Sequence, residues 1–212
     1  MSAVRHLAVD WLELGRRVGA RDDVAGAGAA LLGRWAEPHR AYHDLAHLAE
    51  VLQRVDLLAA EGDRPDAVRL AAWFHDAVYD PTAADNEERS AQLAETSLTR
   101  LRLAPDLVAE VARLVRLTAT HDVGPDDANG AVLCDADLAV LASDDLRYSS
   151  YVEGVRREYA HIDDAAFAVG RAQVLSTLLD RPALFRTSHG RSVWEQPARA
   201  NVTAELGRLR AP

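Results

Sequence analysis

The chain has 212 residues, 49% of them hydrophobic and 27% charged, and a formal net charge of −9 at pH 7. That is an ordinary globular composition, and its acidity argues against a nucleic-acid polymer as partner, although all 24 basic residues are arginine. Cys134 is the single cysteine, which excludes an intrachain disulfide, and neither a signal-peptide profile at Met1–Trp11 nor an apolar run of roughly 18 residues is present, so a cytoplasmic protein without a membrane partner is expected.

In chain order, Leu7, Trp11, Leu14 and Val18 recur at spacings of three and four and predict an amphipathic helix over 4–18. A second helix is predicted over 24–35, rich in alanine and glycine, with Pro38 ending it. From Asp44 to about Ala60, Leu45, Leu48, Leu52, Val55 and Ala59 form one apolar face, with His43 and His47 one turn apart at its edge. Gly62 and Pro65 precede the central stretch Leu70–Tyr79, and Pro81 follows it. Asp85 and Glu88 read as N-cap and capping-box residue of a helix running to about Leu101. Pro105 opens the next helix, which ends near His121. A polar loop over 122–130 leads to a short apolar segment, 132–141, interrupted by Asp135 and Asp137. Helices over 145–160, 164–180 and 197–209 complete the chain. With no alternating run, repeat or linker, the expectation is one all-α domain.

The central stretch sets an adjacent His75-Asp76 pair among apolar residues on every side. A helix apolar all round belongs in the interior, and a carboxylate there needs a partner because an unpaired buried charge is costly. A cation is one such partner, and imidazole and carboxylate are common ligands. His47, on the preceding helix, and Asp137, in the later apolar segment, are the candidates to join the pair. Two His and two Asp suit a divalent ion (Mn, Co, Ni, Zn, Fe or Mg) with positions left for water, drawn from several helices of a bundle.

The order His…His-Asp…Asp resembles the HD superfamily of metal-dependent phosphohydrolases. More narrowly, Tyr42-His43-Asp44-Leu45-Ala46-His47-Leu48, Trp73–Pro81, Asp85–Ala91 and Asp135-Ala136-Asp137-Leu138 resemble a group of small bacterial HD proteins. The stretches Arg156-Arg157-Glu158-Tyr159, Gly170-Arg171 and Ala198–Asn201 are similar to that group too, so the likeness spans nearly the whole chain. The resemblance implies an all-α HD-type bundle, metal ligands at His47, His75, Asp76 and Asp137, and a small phosphorylated substrate, such as a phosphate ester or nucleotide. Tyr42-His43-x-x-x-His47 is similar to the cyclic-nucleotide phosphodiesterase pattern, which makes His43 a general-acid candidate. Glu87 or Glu88 would orient the attacking water, with Glu87 preferred because Glu88 has a capping role. The Gly-Lys that often follows the His-Asp pair and the Gly-Tyr-Pro of the cyclic-dinucleotide branch are both absent. These departures point away from signalling phosphodiesterases and leave the substrate open.

The remaining candidates carry competing readings. His121, at a helix end, suits a site role, as a catalytic group, a ligand to a second metal or a phosphate contact, or a plain C-terminal cap. Arg40, Arg89 and Arg157 are candidate phosphate contacts, each against a reading as a surface arginine. Asp135 is read as a neighbour of the site, Cys134 as a small core residue, and Trp11, Trp35 and Trp73 as core. Rival functions on the same scaffold are a di-iron oxygenase, which needs more histidines than this chain offers, and a metal- or nucleotide-binding module without turnover. Apolar residues on the terminal helices suit a monomer or a homodimer.

Overall fold

The computed structural model describes residues 3–210, and those residues are helical with no strand among them. Ten helices follow in order: α1 (Ala3–Arg17), α2 (Val24–Trp35), α3 (Leu45–Leu58), α4 (Pro65–Phe74), α5 (Asn86–Arg100), α6 (Pro105–Leu117), α7 (Ala128–Leu138), α8 (Asp145–Glu158), α9 (Asp164–Leu179) and α10 (Glu195–Arg210). Helix starts are set largely by aspartate. The carboxylates of Asp23, Asp44, Asp127, Asp144 and Asp163 each accept a backbone N–H in the first turn of α2, α3, α7, α8 and α9. Pro65 and Pro105 open α4 and α6, where a missing N–H leaves nothing unpaired.

Helices α3, α4 and α7 pack against one another at the centre. Helices α1 and α2 cover one side of this trio, the α5–α6 hairpin lies against α4, and α8 and α10 meet the 3-10 turn Ala139–Ala142 that follows α7. One continuous apolar core runs through them. Trp11, Trp35, Trp73 and Phe74 are all essentially inaccessible. Trp11 meets Trp73 and Phe74 edge-on, and the Trp35 indole N–H donates to the carbonyl of Trp73 (3.1 Å). Cys134 is buried in α7, as a small core residue should be.

Four local expectations are corrected. The His75-Asp76 pair does not sit mid-helix: α4 ends at Phe74, His75 is its cap, and Asp76 lies in the turn beyond. That frees both side chains to turn toward one point. The capping box at Asp85 and Glu88 does not form; Asp85 makes no side-chain cap, and the Glu88 carboxylate instead accepts from Arg116 and Gln92. The polar loop is shorter than 122–130, because Asp127 starts α7. The segment 132–141 is helical to Leu138. Asp135 and Asp137 therefore diverge by about 200° around a helix axis rather than by strand-like alternation. Asp135 faces away from His75 and accepts from the Arg186 and Thr187 amides and the Thr187 hydroxyl.

Candidate metal centre

The centre forms where the three central helices meet. Asp44 caps α3 by accepting from the amides of Ala46 (2.8 Å) and His47 (3.2 Å), which places His47 in the first turn. His75 is anchored at the end of α4 by donation from Nδ1 to the Ala72 carbonyl (2.8 Å). With that proton on Nδ1, the lone pair of Nε2 faces the site. Asp137 arrives from α7. Coordinating atoms of His47, His75 and Asp137 lie within 4.8 Å of one another, with both imidazoles buried. Behind them, the Trp35 ring sits 5.4 Å from His75 and 6.2 Å from His47.

The spacings suit one ion. The two Nε2 atoms are 3.2 Å apart, Asp137 Oδ1 is 3.3 Å from His47 Nε2 and 3.5 Å from His75 Nε2, and Asp76 Oδ2 is 3.2 Å from His75 Nε2. Ligands bonded at about 2.1 Å stand about 3.0 Å apart in an octahedron and about 3.4 Å apart in a tetrahedron. Asp76, expected as a fourth ligand, stands at the edge of this group of three: its Oδ2 is 3.8 Å from His47 Nε2, because it lies in the turn beyond α4. Two imidazole nitrogens at this separation repel as lone pairs unless a proton or a cation stands between them. Without an ion, burial lowers the His75 pKa, but the charges of Asp76 and Asp137 overcome it and raise His75 well above its ordinary value. Burial opposes charge on both carboxylates too, yet the imidazoles hold Asp76 and Asp137 below the usual range. Among the described residues this is the one such group of donors.

Beside the centre stands a second network. Glu158, the last residue of α8 and buried, accepts through Oε1 from the amides of Ala41 (2.8 Å), Tyr42 (2.7 Å) and His43 (2.9 Å). Its Oε2 accepts from His43 Nδ1 (2.7 Å) and the Tyr79 hydroxyl (2.9 Å). Burial raises its pKa, but these donors outweigh that and bring it down to about 2. His43 in turn is raised above its ordinary value, since Glu158 and the charge of Asp76 outweigh its desolvation. Its free Nε2 lies 4.0 Å from Asp76 Oδ2. His121 closes the other flank, with Nε2 2.8 Å from Asp137 Oδ2. Its φ of +51° is left-handed, uncommon for a residue with a side chain, and the Arg181 guanidinium braces the turn by donating to the Thr120 and His121 carbonyls.

Other candidates lie apart. Arg40 is not a substrate contact: its inaccessible guanidinium donates to the carbonyls of His43 (2.8 Å), Asp76 (2.8 Å) and Ala77 (3.3 Å). It ties the His43 loop to the end of α4, where a cation also complements the helix dipole. Arg89 pairs with Asp85 and lines a separate cleft beside Tyr79 and Pro81. Arg157 is exposed on α8. Neither Arg89 nor Arg157 lines the cavity at the centre. Glu87 is half-buried, and its charge reaches Tyr159 without a hydrogen bond to the centre. The sequence reading assigned no role to Glu158, whose only signal was its place in the Arg156–Tyr159 block, or to Trp35 beyond core.

The centre opens into a cavity of about 450 Å³ lined by His43, His121 and Asp137 at one end. Tyr42 lines it as well, and its hydroxyl is buried without a hydrogen-bond partner among the described residues. No helix among the described residues is long and apolar enough to cross a membrane. No family model, curated protein or solved structure matches this chain.

Proposed function

We propose that this chain is a metal-dependent phosphohydrolase of the HD type, acting on a small phosphate ester. The observation that carries this reading is the convergence of His47, His75 and Asp137, with Asp76 beside His75, next to a cavity that Asp137 and His43 line. His47, His75 and Asp137, with Asp76 beside them, would hold a divalent ion, which when bound would supply an acidified water and positive charge against a phosphoryl oxygen. His47 and His75 bind through Nε2, and the Ala72 carbonyl keeps the His75 ring in the right tautomer. His43 gives its Nε2 proton to the departing oxygen. Glu158, on Nδ1, orients the ring and stabilises its charged form. Arg40 holds the His43 and Asp76 carbonyls at a fixed separation, so the acid and the ligand pair move together.

A two-ion variant of this reading is favoured by one contact. Asp137 presents Oδ1 to His47 and His75 while its Oδ2 meets His121, so Asp137 and His121 would be the side chains to hold a second ion. Elemental analysis of the desalted protein separates the two: one equivalent of metal leaves His121 as a positioning group, and two make it a ligand. The reaction is tested by hydrolysis of 4-nitrophenyl phosphate with Mn²⁺, Co²⁺, Ni²⁺, Zn²⁺, Fe²⁺ or Mg²⁺ added. Asp137→Ala retaining full metal-dependent activity would sink the assignment.

A further inference from the structure

The cavity beyond the metal centre is not built for phosphate chains or nucleobases. Past His43, His121 and Asp137 its wall is made by Leu141, Tyr151, Val155, Tyr159, Phe167 and Val174. The one arginine lining it among the described residues is Arg171. Its guanidinium is engaged by buried Glu205 (2.8 Å) and the Tyr151 hydroxyl (2.7 Å), so its charge is already matched. A polyphosphate needs several free cations, and a nucleobase needs paired donors and acceptors at its edge. This wall offers aromatic rings and aliphatic side chains, and a volume in the range of small-molecule sites.

We infer that the substrate is a phosphate monoester of an apolar alcohol, alkyl or aryl, whose uncharged body lies between α8 and α9. This rests on the phosphohydrolase reading of the same centre. Water adds to phosphorus, the bond from phosphorus to the alcohol oxygen breaks, and that oxygen takes the His43 proton. Inorganic phosphate and the free alcohol are the products. The reaction needs no co-reactant besides water. Burial of the alcohol's chain then sets the selectivity, with nucleotides as poor substrates.

Gly170, on α9, lines this cavity, and a Cβ built there meets open space. Gly170 is exposed at the cavity's edge, so a large side chain there can reach over the cavity without displacing packed neighbours. The test compares n-alkyl phosphates from ethyl to octyl, 1-naphthyl phosphate and nucleoside monophosphates on the Mn²⁺-loaded protein. The expected result is a kcat/KM that climbs about fourfold per methylene, from the transfer free energy of a buried CH₂. Naphthyl phosphate should outrun every nucleotide. Gly170→Trp should cut kcat/KM for octyl phosphate by about tenfold or more while sparing ethyl phosphate and metal content. Binding of n-alkanols to the metal-free protein, read as a thermal shift lost in Gly170→Trp, is the readout independent of turnover. Hydrolysis with no dependence on chain length, or with nucleotides preferred, overturns the inference and leaves the phosphohydrolase reading standing. Chain-length-dependent alkanol binding without hydrolysis of any ester does the reverse. Loss of both removes both.

Discussion

The two ends of the cavity are built by opposite rules. At the metal end the histidines are held by other groups: Asp44 caps the turn that carries His47, the Ala72 carbonyl fixes His75, Glu158 fixes His43, and Arg40 ties the loop to α4. The far wall has one polar restraint, Arg171 bonded to Glu205 and Tyr151, and is otherwise apolar. Helix α9 packs chiefly on α10, Leu175 is its one fully buried side chain, and Val169 and Val174 stand 71% and 54% exposed. A reaction that depends on placement needs the first kind of construction, and accommodation of an apolar body needs only the second. The difference teaches where substitutions will be tolerated: along α9 and not around Glu158.

The comparison is broken most directly at the ligands. Asp137→Ala or His75→Ala should abolish both retained metal and hydrolysis, measured by elemental analysis and phosphate release. Next in size, His43→Gln should keep the metal and lower kcat by about 10²- to 10⁴-fold, the span of a lost general acid. Glu158→Ala removes the anchor of five donors and should cost about 3–5 kcal/mol in urea unfolding, as breaking a buried charged network does. A stability loss without any change in the pH profile of the remaining activity would reduce Glu158 to a structural role.

Acidity sharpens the same contrast. His43 and His75 fold with pKa values above 6.5, so their stabilisation is complete below pH 6.5 and fades as pH rises through the folded values. Glu158 folds at about 2 against an ordinary 4.5, so its stabilisation is present above pH 4.5 and fades as pH falls toward 2. The metal-free protein should therefore melt highest between pH 4.5 and 6.5, and added metal should restore the alkaline side by replacing the imidazole proton. A melting temperature that is flat above pH 6.5 without metal contradicts this placement of the histidines. Arg157→Ala and Arg89→Ala, outside the cavity lining, should change kcat/KM least of all, and a large loss in either would reopen the search for phosphate contacts.

Much of this was legible before any coordinates. Periodicity located nine of the ten helices and left α7 as a short apolar segment, because apolar spacing and the proline and polar breaks between segments are local signals, and the adjacent His75-Asp76 pair in an apolar stretch was conspicuous in itself. The all-α architecture follows from those signals alone. Pairing of side chains across the chain is not local. Nothing near Glu88 foretold Arg116 as its partner, and nothing near Arg40 foretold that carbonyls of the α4 end would absorb its guanidinium. The number of charges that cancel in the interior, and which arginine is left to meet a ligand, depends on what the fold brings within about 3 Å, the reach of a hydrogen bond. Sequence thus determined the helices and the donor types. Tertiary packing alone decided that His47, His75 and Asp137 converge with Asp76 beside His75, that Glu158 stands behind His43, and that the cavity beyond them is mostly apolar.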